Sequence, residues 1–262
     1  MAKGKFCSYF LHLITLVEQK RMKTLFTIFM FFPLIMYCHS TDSTTSDRKF
    51  SLGLSFSPDY CYRKLKPDAS VKWIADQRDS MEIPKFGFTS GVNALYRFRN
   101  KIIIEAGIQY SEKGYKTKEY VYNYISPTGQ PDPAVPKQAM WKYSYRYLDI
   151  PIKIDYSILT GRLNLFFSGG ISSNIFLSEK ITIIEEFQDG SIKKGFPKNN
   201  MTKYSPLNFS VLGGLGIDFA LTKRIHIRVE PTYRHFITSI IDAPIKGYLF
   251  STGLNTGVYL NL

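Results

Sequence analysis

Cysteine, histidine and tryptophan are scarce in this chain of 262 residues, with three, four and two copies. Only Cys61 lies beyond residue 40, so the body of the chain cannot close an internal disulfide and must draw its stability from elsewhere. Beyond the same point only His226 and His235 remain, a thin supply for acid–base or metal chemistry. The sequence also lacks a Gly-x-Ser-x-Gly elbow, a His-Glu-x-x-His pair, a phosphate-loop glycine run and a cysteine pair. No enzyme class announces itself, and neither a cofactor nor a metal is expected. After residue 40 no apolar run is long enough for a transmembrane helix, which excludes a helical membrane protein.

The one long apolar run is near the start. RMKTLFTIFMFFPLIMYCHS (residues 21–40) has a basic flank, an apolar stretch from Leu25 to Tyr37, and Cys38-His39-Ser40 at its end. It reads as a cleavable signal peptide cut after Ser40, being short for a membrane anchor. Residues 1–21 sit awkwardly before such a peptide, and Met22 is a candidate start. The expected organisation is an extension and signal peptide over 1–40, a polar leader over 41–48 and one domain over 49–262. Removing 1–40 takes four from the net charge of +13, leaving about +9. A basic chain invites a nucleic-acid reading, but no nucleic-acid motif accompanies the charge and an exported protein has no such partner.

What the chain has in quantity is Phe (20) and Tyr (18), residues of strands and of polar–apolar boundaries. From residue 50 onward they fall into period-two runs. Phe50, Leu52, Leu54, Phe56, Tyr60 and Tyr62 alternate with Ser51, Gly53, Ser55, Ser57, Asp59 and Cys61. A helix would smear this pattern; a strand with two unlike faces produces it. The pattern recurs over 86–98, 102–113, 147–158, 163–177, 208–219, 224–234 and 248–262, giving eight strands. Residues 63–85, 116–142 and 179–205 make long connections, and 237–246 a medium one. Residues 99–100, 157–162 and 222–223 make short ones. The short turns all fall at the end that holds the N-terminus, as in an up-and-down transmembrane barrel.

Side-chain size decides which parity faces in. The polar parity is crowded with Ser and Gly, including Gly87, Gly91, Gly107, Gly170, Gly214, Gly216, Gly253 and Gly257. A surface in water has no reason to be so small, because glycine weakens a strand, whereas the narrow interior of an eight-stranded barrel has one. The apolar parity would overfill a soluble barrel or sandwich, but needs no partner in lipid. The predicted fold is therefore all-β, an eight-stranded antiparallel up-and-down transmembrane β-barrel in the bacterial outer membrane. Glu105, Asp149, Lys153, Asp155, Asp218, Arg228 and Glu230 then form an internal charge network, with both signs present to offset desolvation. His226 shares their parity beside Arg224 and Arg228 and is read as a packed interior residue. Pro151 and Pro231 interrupt runs, so each is expected at a bulge or near a strand end. Lysines and arginines of the long connections, among them Arg63, Lys64, Lys66, Lys72, Arg78, Lys116, Lys137, Lys142, Lys193 and Lys194, read as loop charges near an aromatic belt.

Several blocks resemble a known family: LGLSFSPDYCYRKL (52–65), EAGIQYSEKGYKT (105–117), YRYLDIPIKIDY (145–156), LFFSGGISSNIFL (165–177) and FSTGLNTGVYLNL (250–262). Together they resemble the PorT-like outer-membrane β-barrel family of Gram-negative bacteria, and Tyr147-Leu148-Asp149-Ile150-Pro151 is the most specific piece. The resemblance implies a cell-envelope location and, through the family's founding member, a link to protein secretion across the outer membrane. A non-enzymatic structural, docking or assembly role follows from it. The expected partners are outer-membrane lipid or lipopolysaccharide and envelope or secretion-system proteins. The alternative is an envelope enzyme or small-ligand barrel that uses the mouth formed by the long loops.

Overall fold

The computed structural model describes residues 49–122, 135–159, 161–198 and 202–262. The signal-peptide and leader readings, and Pro127, Pro131 and Pro133 of the second long connection, lie outside the described residues. Ten strands and one helix occupy the rest: β1 Phe50–Pro67, α1 Lys72–Met81, β2 Glu82–Arg99, β3 Ile102–Thr117, β4 Tyr120–Val121, β5 Gln138–Leu159, β6 Leu163–Glu186, β7 Ile192–Gly195, β8 Leu207–Ala220, β9 Ile225–Phe236 and β10 Ile245–Asn261. All pairings are antiparallel, in the order β4-β5-β3-β2-β1-β10-β9-β8-β6-β7, and β5 also pairs with β6. That extra pairing runs a ring through the eight long strands, each bonded to its neighbours in chain order. β4 and β7 are short additions on β5 and β6.

The ring has two faces, and the alternation of the sequence decides which residue goes where. Along β1 every second residue from Ser51 to Cys61 is buried, and every second residue from Phe50 to Tyr60 is exposed. The outward positions of 50–62, 86–98, 102–110, 148–158, 163–177, 207–219, 225–235 and 248–262 contain no Asp, Glu, Lys or Arg. They instead expose Leu54, Phe86, Ile108, Ile154, Ile171, Leu215 and Val258, among others, each more than half accessible. An apolar surface that encircles a chain is far beyond the patches of soluble monomers. Each strand keeps it up for roughly the 9–11 residues that a tilted strand needs to cross a bilayer.

Inward, small residues leave room for large ones. Gly216 lies under the ring of Phe166, and Gly253 lies against the Asp59 carboxylate, where an added Cβ would overlap both that oxygen and the Ser57 hydroxyl.

Pro151 and Pro231 sit neither at bulges nor at strand ends. Pro151 stays in register with Ser172 of β6, while toward β3 the pairing passes from Gln109↔Asp149 to Ala106↔Ile152 without a shift. Pro231 pairs with Leu254 of β10, and toward β8 the pairs pass from Ile217↔Val229 to Gly214↔Thr232. Pro58 repeats the arrangement between β2 and β10. In each case the ladder opens by two pairs on one side only, the side that loses the proline's missing donor, and the register survives. Pro84 differs, lying at a register shift between β2 and β3.

The long connections also differ from the sequence reading. Residues 63–85 contain the end of β1, a 3-10 turn at Ala69–Val71 and α1. Much of 116–142 and 179–205 is strand: β5 already begins at Gln138 and β6 runs to Glu186. These two strands thus rise together past the apolar band as a paired extension.

Filling the space beside Asp59 should be costly. Gly253→Val is expected to lower the unfolding free energy by about 1–3 kcal/mol, the usual range for overpacking. The check is urea unfolding of detergent-solubilised protein.

Candidate functional site

The inner face carries the ionisable groups, stacked in layers from the short-turn end to the long-loop end. At the short-turn end Leu95, Ile103 and Tyr259 form an apolar plug. Above it, Arg228 of β9 reaches across the ring to Glu105 of β3 at 3.0 Å and Asp155 of β5 at 2.6 Å, with Asp218 of β8 at 3.8 Å. Lys153 of β5 bridges Glu105 at 3.0 Å and Glu230 of β9 at 2.9 Å, and the Ser168 hydroxyl donates to Glu230. His226 Nδ1 meets Asp218 at 2.7 Å. The Arg228 guanidinium also lies 4.1 Å from the centre of the Phe166 ring. Burial removes water from all these groups, so each charge depends on its partners; Glu105 is 1% exposed and Arg228 3%.

Next come two smaller groups. Asp59 accepts from Arg234 at 2.8 Å and from Thr89 and Ser57. Lys113 donates to Asp149 at 2.6 Å and to Ser111, and Asn174 donates to the other Asp149 oxygen at 2.7 Å. Tyr115, Tyr145, Tyr147, Phe236, Ile240 and Leu249 then close the long-loop end as an aromatic cap. Arg63 lies over it, 3.9 Å from the centre of the Tyr115 ring, and pairs with Glu82.

Six of the seven residues singled out in the sequence, together with His226, therefore share one network; Asp149 belongs to the separate group around Lys113. Asp59, Lys113 and Arg234 were not singled out, although all three stand on the polar parity of their strands. Arg63 is no loop charge: it is buried on β1 against Glu82. Lys85, counted within a connection, is buried on β2 and donates to Glu112 at 2.9 Å and Ser144 at 2.5 Å.

Each acid of the main network faces a cation, an imidazole or a hydroxyl. His226 Nε2, the nitrogen that would serve a nucleophile, has no hydrogen-bond partner among the described residues. Nor does any group of three or more His, Cys, Asp or Glu side chains among the described residues assemble into a metal site. A groove of about 560 Å³ lies beyond the ring on β6, lined by Phe176, Glu179, Lys180, Ile181, Phe196 and Tyr204. Burial, the adjacent Tyr145 and the hydrogen bond it donates to Glu179 hold the Tyr204 phenol well above its ordinary pKa.

Removing the central cation should be the most damaging single change inside the ring. Arg228→Met leaves Glu105 and Asp155 without the guanidinium they share, an expected loss of about 3–5 kcal/mol. Adding Asp155→Asn to Arg228→Met should restore part of it. Urea midpoints of the three proteins in one detergent make the check.

No curated protein matches the chain. Among solved structures it is similar to Neisserial surface protein A, at 12% identity over 81% of this chain and 97% of that one, with a TM-score of 0.40. It is similar to OprG from Pseudomonas aeruginosa at 11% identity, covering 80% of this chain and 95% of that one with a TM-score of 0.38. The outer membrane protease OmpT from Escherichia coli is similar at 10% identity, with 85% and 99% coverage and a TM-score of 0.41. The family model described as outer membrane protein beta-barrel domain matches residues 40–242, most of the chain. This chain belongs to that outer-membrane β-barrel family, and the bacterial outer membrane is its location.

Proposed function

We propose that the ring is an eight-stranded up-and-down transmembrane barrel of the PorT-like kind. In this reading it acts without catalysis, as a docking or assembly component for protein secretion across the outer membrane. The observation that carries this reading is the filled interior. Charge pairs occupy the middle of the ring, Leu95, Ile103 and Tyr259 one end, and the aromatic cap the other. An eight-stranded barrel has space for side chains and little else, so conduction is not its task. What remains for a partner is the part outside the apolar band, above all the paired extension of β5 and β6 with β4 and β7 attached. Its partners in this reading are envelope or secretion-system proteins, with outer-membrane lipid around the band.

A second reading has one observation in its favour. The groove beside Tyr204 offers aromatic, acidic and basic side chains around about 560 Å³, a volume suited to a small ligand or substrate.

Four measurements test these readings. The folded protein should migrate faster unboiled than boiled in detergent gels, and planar bilayers containing it should show no steady conductance. Identical migration or a stable open channel overturns the proposal. In a strain lacking the chain, secreted cargo should be retained in the periplasm. The wild type and folded variants Asp149→Asn and His226→Gln should restore export, and a variant shortened in the β5–β6 extension should not. Turnover of a lipid or peptide substrate that is lost on changing Glu179 or Tyr204 would favour the second reading.

A further inference from the structure

The two ends of the ring differ in charge. At the long-loop end, basic residues are interspersed with exposed acids such as Asp68, Asp76, Asp79, Glu119, Asp189 and Asp242. At the short-turn end every charged side chain exposed among the described residues is basic. Lys49 precedes β1, Arg97, Arg99 and Lys101 lie at the β2–β3 turn, Arg162 at the β5–β6 turn, and Lys223 and Arg224 at the β8–β9 turn. None of the seven makes an ion pair among the described residues. Like charges gathered at one rim repel, so the arrangement calls for anions from outside the chain.

The collar also has a fixed height. Exposed Phe50, Tyr96, Phe98, Tyr156 and Phe167 end the apolar band at the same rim. Two guanidiniums sit beside aromatic rings near this rim: Arg99 at 5.7 Å from the Phe98 centroid and Arg162 at 5.5 Å from that of the half-buried Phe219. Aromatic side chains of this kind settle at headgroup level, where the nearest anions are lipid phosphates. Arginine forks and lysine ammoniums both suit phosphate oxygens.

We infer that the short-turn rim is a binding collar for anionic phospholipid headgroups, fastening the ring in the leaflet on that side. The inference rests on the transmembrane-barrel reading. It names a lipid class and an end of the molecule that the reading leaves open.

The test uses the full chain in phosphatidylcholine vesicles. Electron paramagnetic resonance measures association of spin-labelled phosphatidylglycerol relative to spin-labelled phosphatidylcholine. The wild type should prefer phosphatidylglycerol by about threefold or more, because each basic residue at a membrane surface adds attraction to anionic lipid. The set Arg99→Gln, Lys101→Gln, Lys223→Gln and Arg224→Gln should remove most of that preference. A charge-keeping set, Arg99→Lys, Lys101→Arg, Lys223→Arg and Arg224→Lys, should retain it. So should a set at the other end, Lys64→Gln, Lys66→Gln, Lys116→Gln and Lys246→Gln. No preference in the wild type, as expected if the collar serves a soluble anionic partner, overturns the inference. So does an equal loss from the set at the other end. Failure of the wild type to enter vesicles and show heat-modifiable migration overturns the barrel reading itself, a result distinct from insertion without lipid preference.

Discussion

A band of apolar side chains on the outside leaves the ionisable residues of the strands only one place to go. The rest of the structure depends on that constraint. With no Asp, Glu, Lys or Arg facing outward along the band, every charge within it must share a narrow interior. Burial alone would make each charge very costly, so opposite charges must lie within contact distance of one another. The interior therefore holds pairs and bridges instead of isolated groups, and serine and glycine occupy the positions between them. The abundance of Gly and Ser on the inward parity and the density of ion pairs are two consequences of one geometry.

Arg228 shows how this links distant parts of the chain. Its guanidinium touches Glu105, which precedes it by 123 residues, and Asp155, which precedes it by 73. Lys153 joins the same Glu105 to Glu230. Strands that are not neighbours in the ring are thus held through side chains, while neighbours are held through the backbone ladder. The ladder supplies partners for backbone N–H and C=O groups that lipid cannot satisfy. The bridges supply the contacts across the middle that fix the strands' relative positions. The prolines fit this division: where Pro58, Pro151 and Pro231 open one side of the ladder, the register continues because pairing on the other side is intact.

Period-two alternation made the strands and their inward parity legible, since which face a side chain takes depends only on its neighbours in sequence. That parity set Glu105, Lys153, Asp155, Asp218, Arg228 and Glu230 on a common face. It could not say that Asp149 would meet Lys113 and stay outside the main network, because pairings across a ring depend on register between strands far apart in the chain. Strand limits were less legible. Gln138–Tyr145 and Ser178–Glu186 are mixed in character, and their extension comes from pairing with each other beyond the apolar band. Arg63 and Lys85 were assigned to a connection for the same reason. Helix α1, KWIADQRDSM, carries one buried residue, Ala75, and so gave no apolar stripe to find.

The asymmetry of the interior bears on the asymmetry of the rims. In the main network four carboxylates, on Glu105, Asp155, Asp218 and Glu230, share two permanent cations, Lys153 and Arg228, and the imidazole of His226. The groups around Asp59 and Asp149 each pair one acid with one base. The excess of acid thus lies in the layer next to the short-turn plug, the end whose exposed charges are all basic. Negative charge in that layer offsets part of the mutual repulsion of Lys49, Arg97, Arg99, Lys101, Arg162, Lys223 and Arg224. Only part of the collar can be balanced in this way, because the acids are fewer and lie behind the plug. The remaining positive charge faces outward at the rim, where the turns are too short to bring carboxylates of their own.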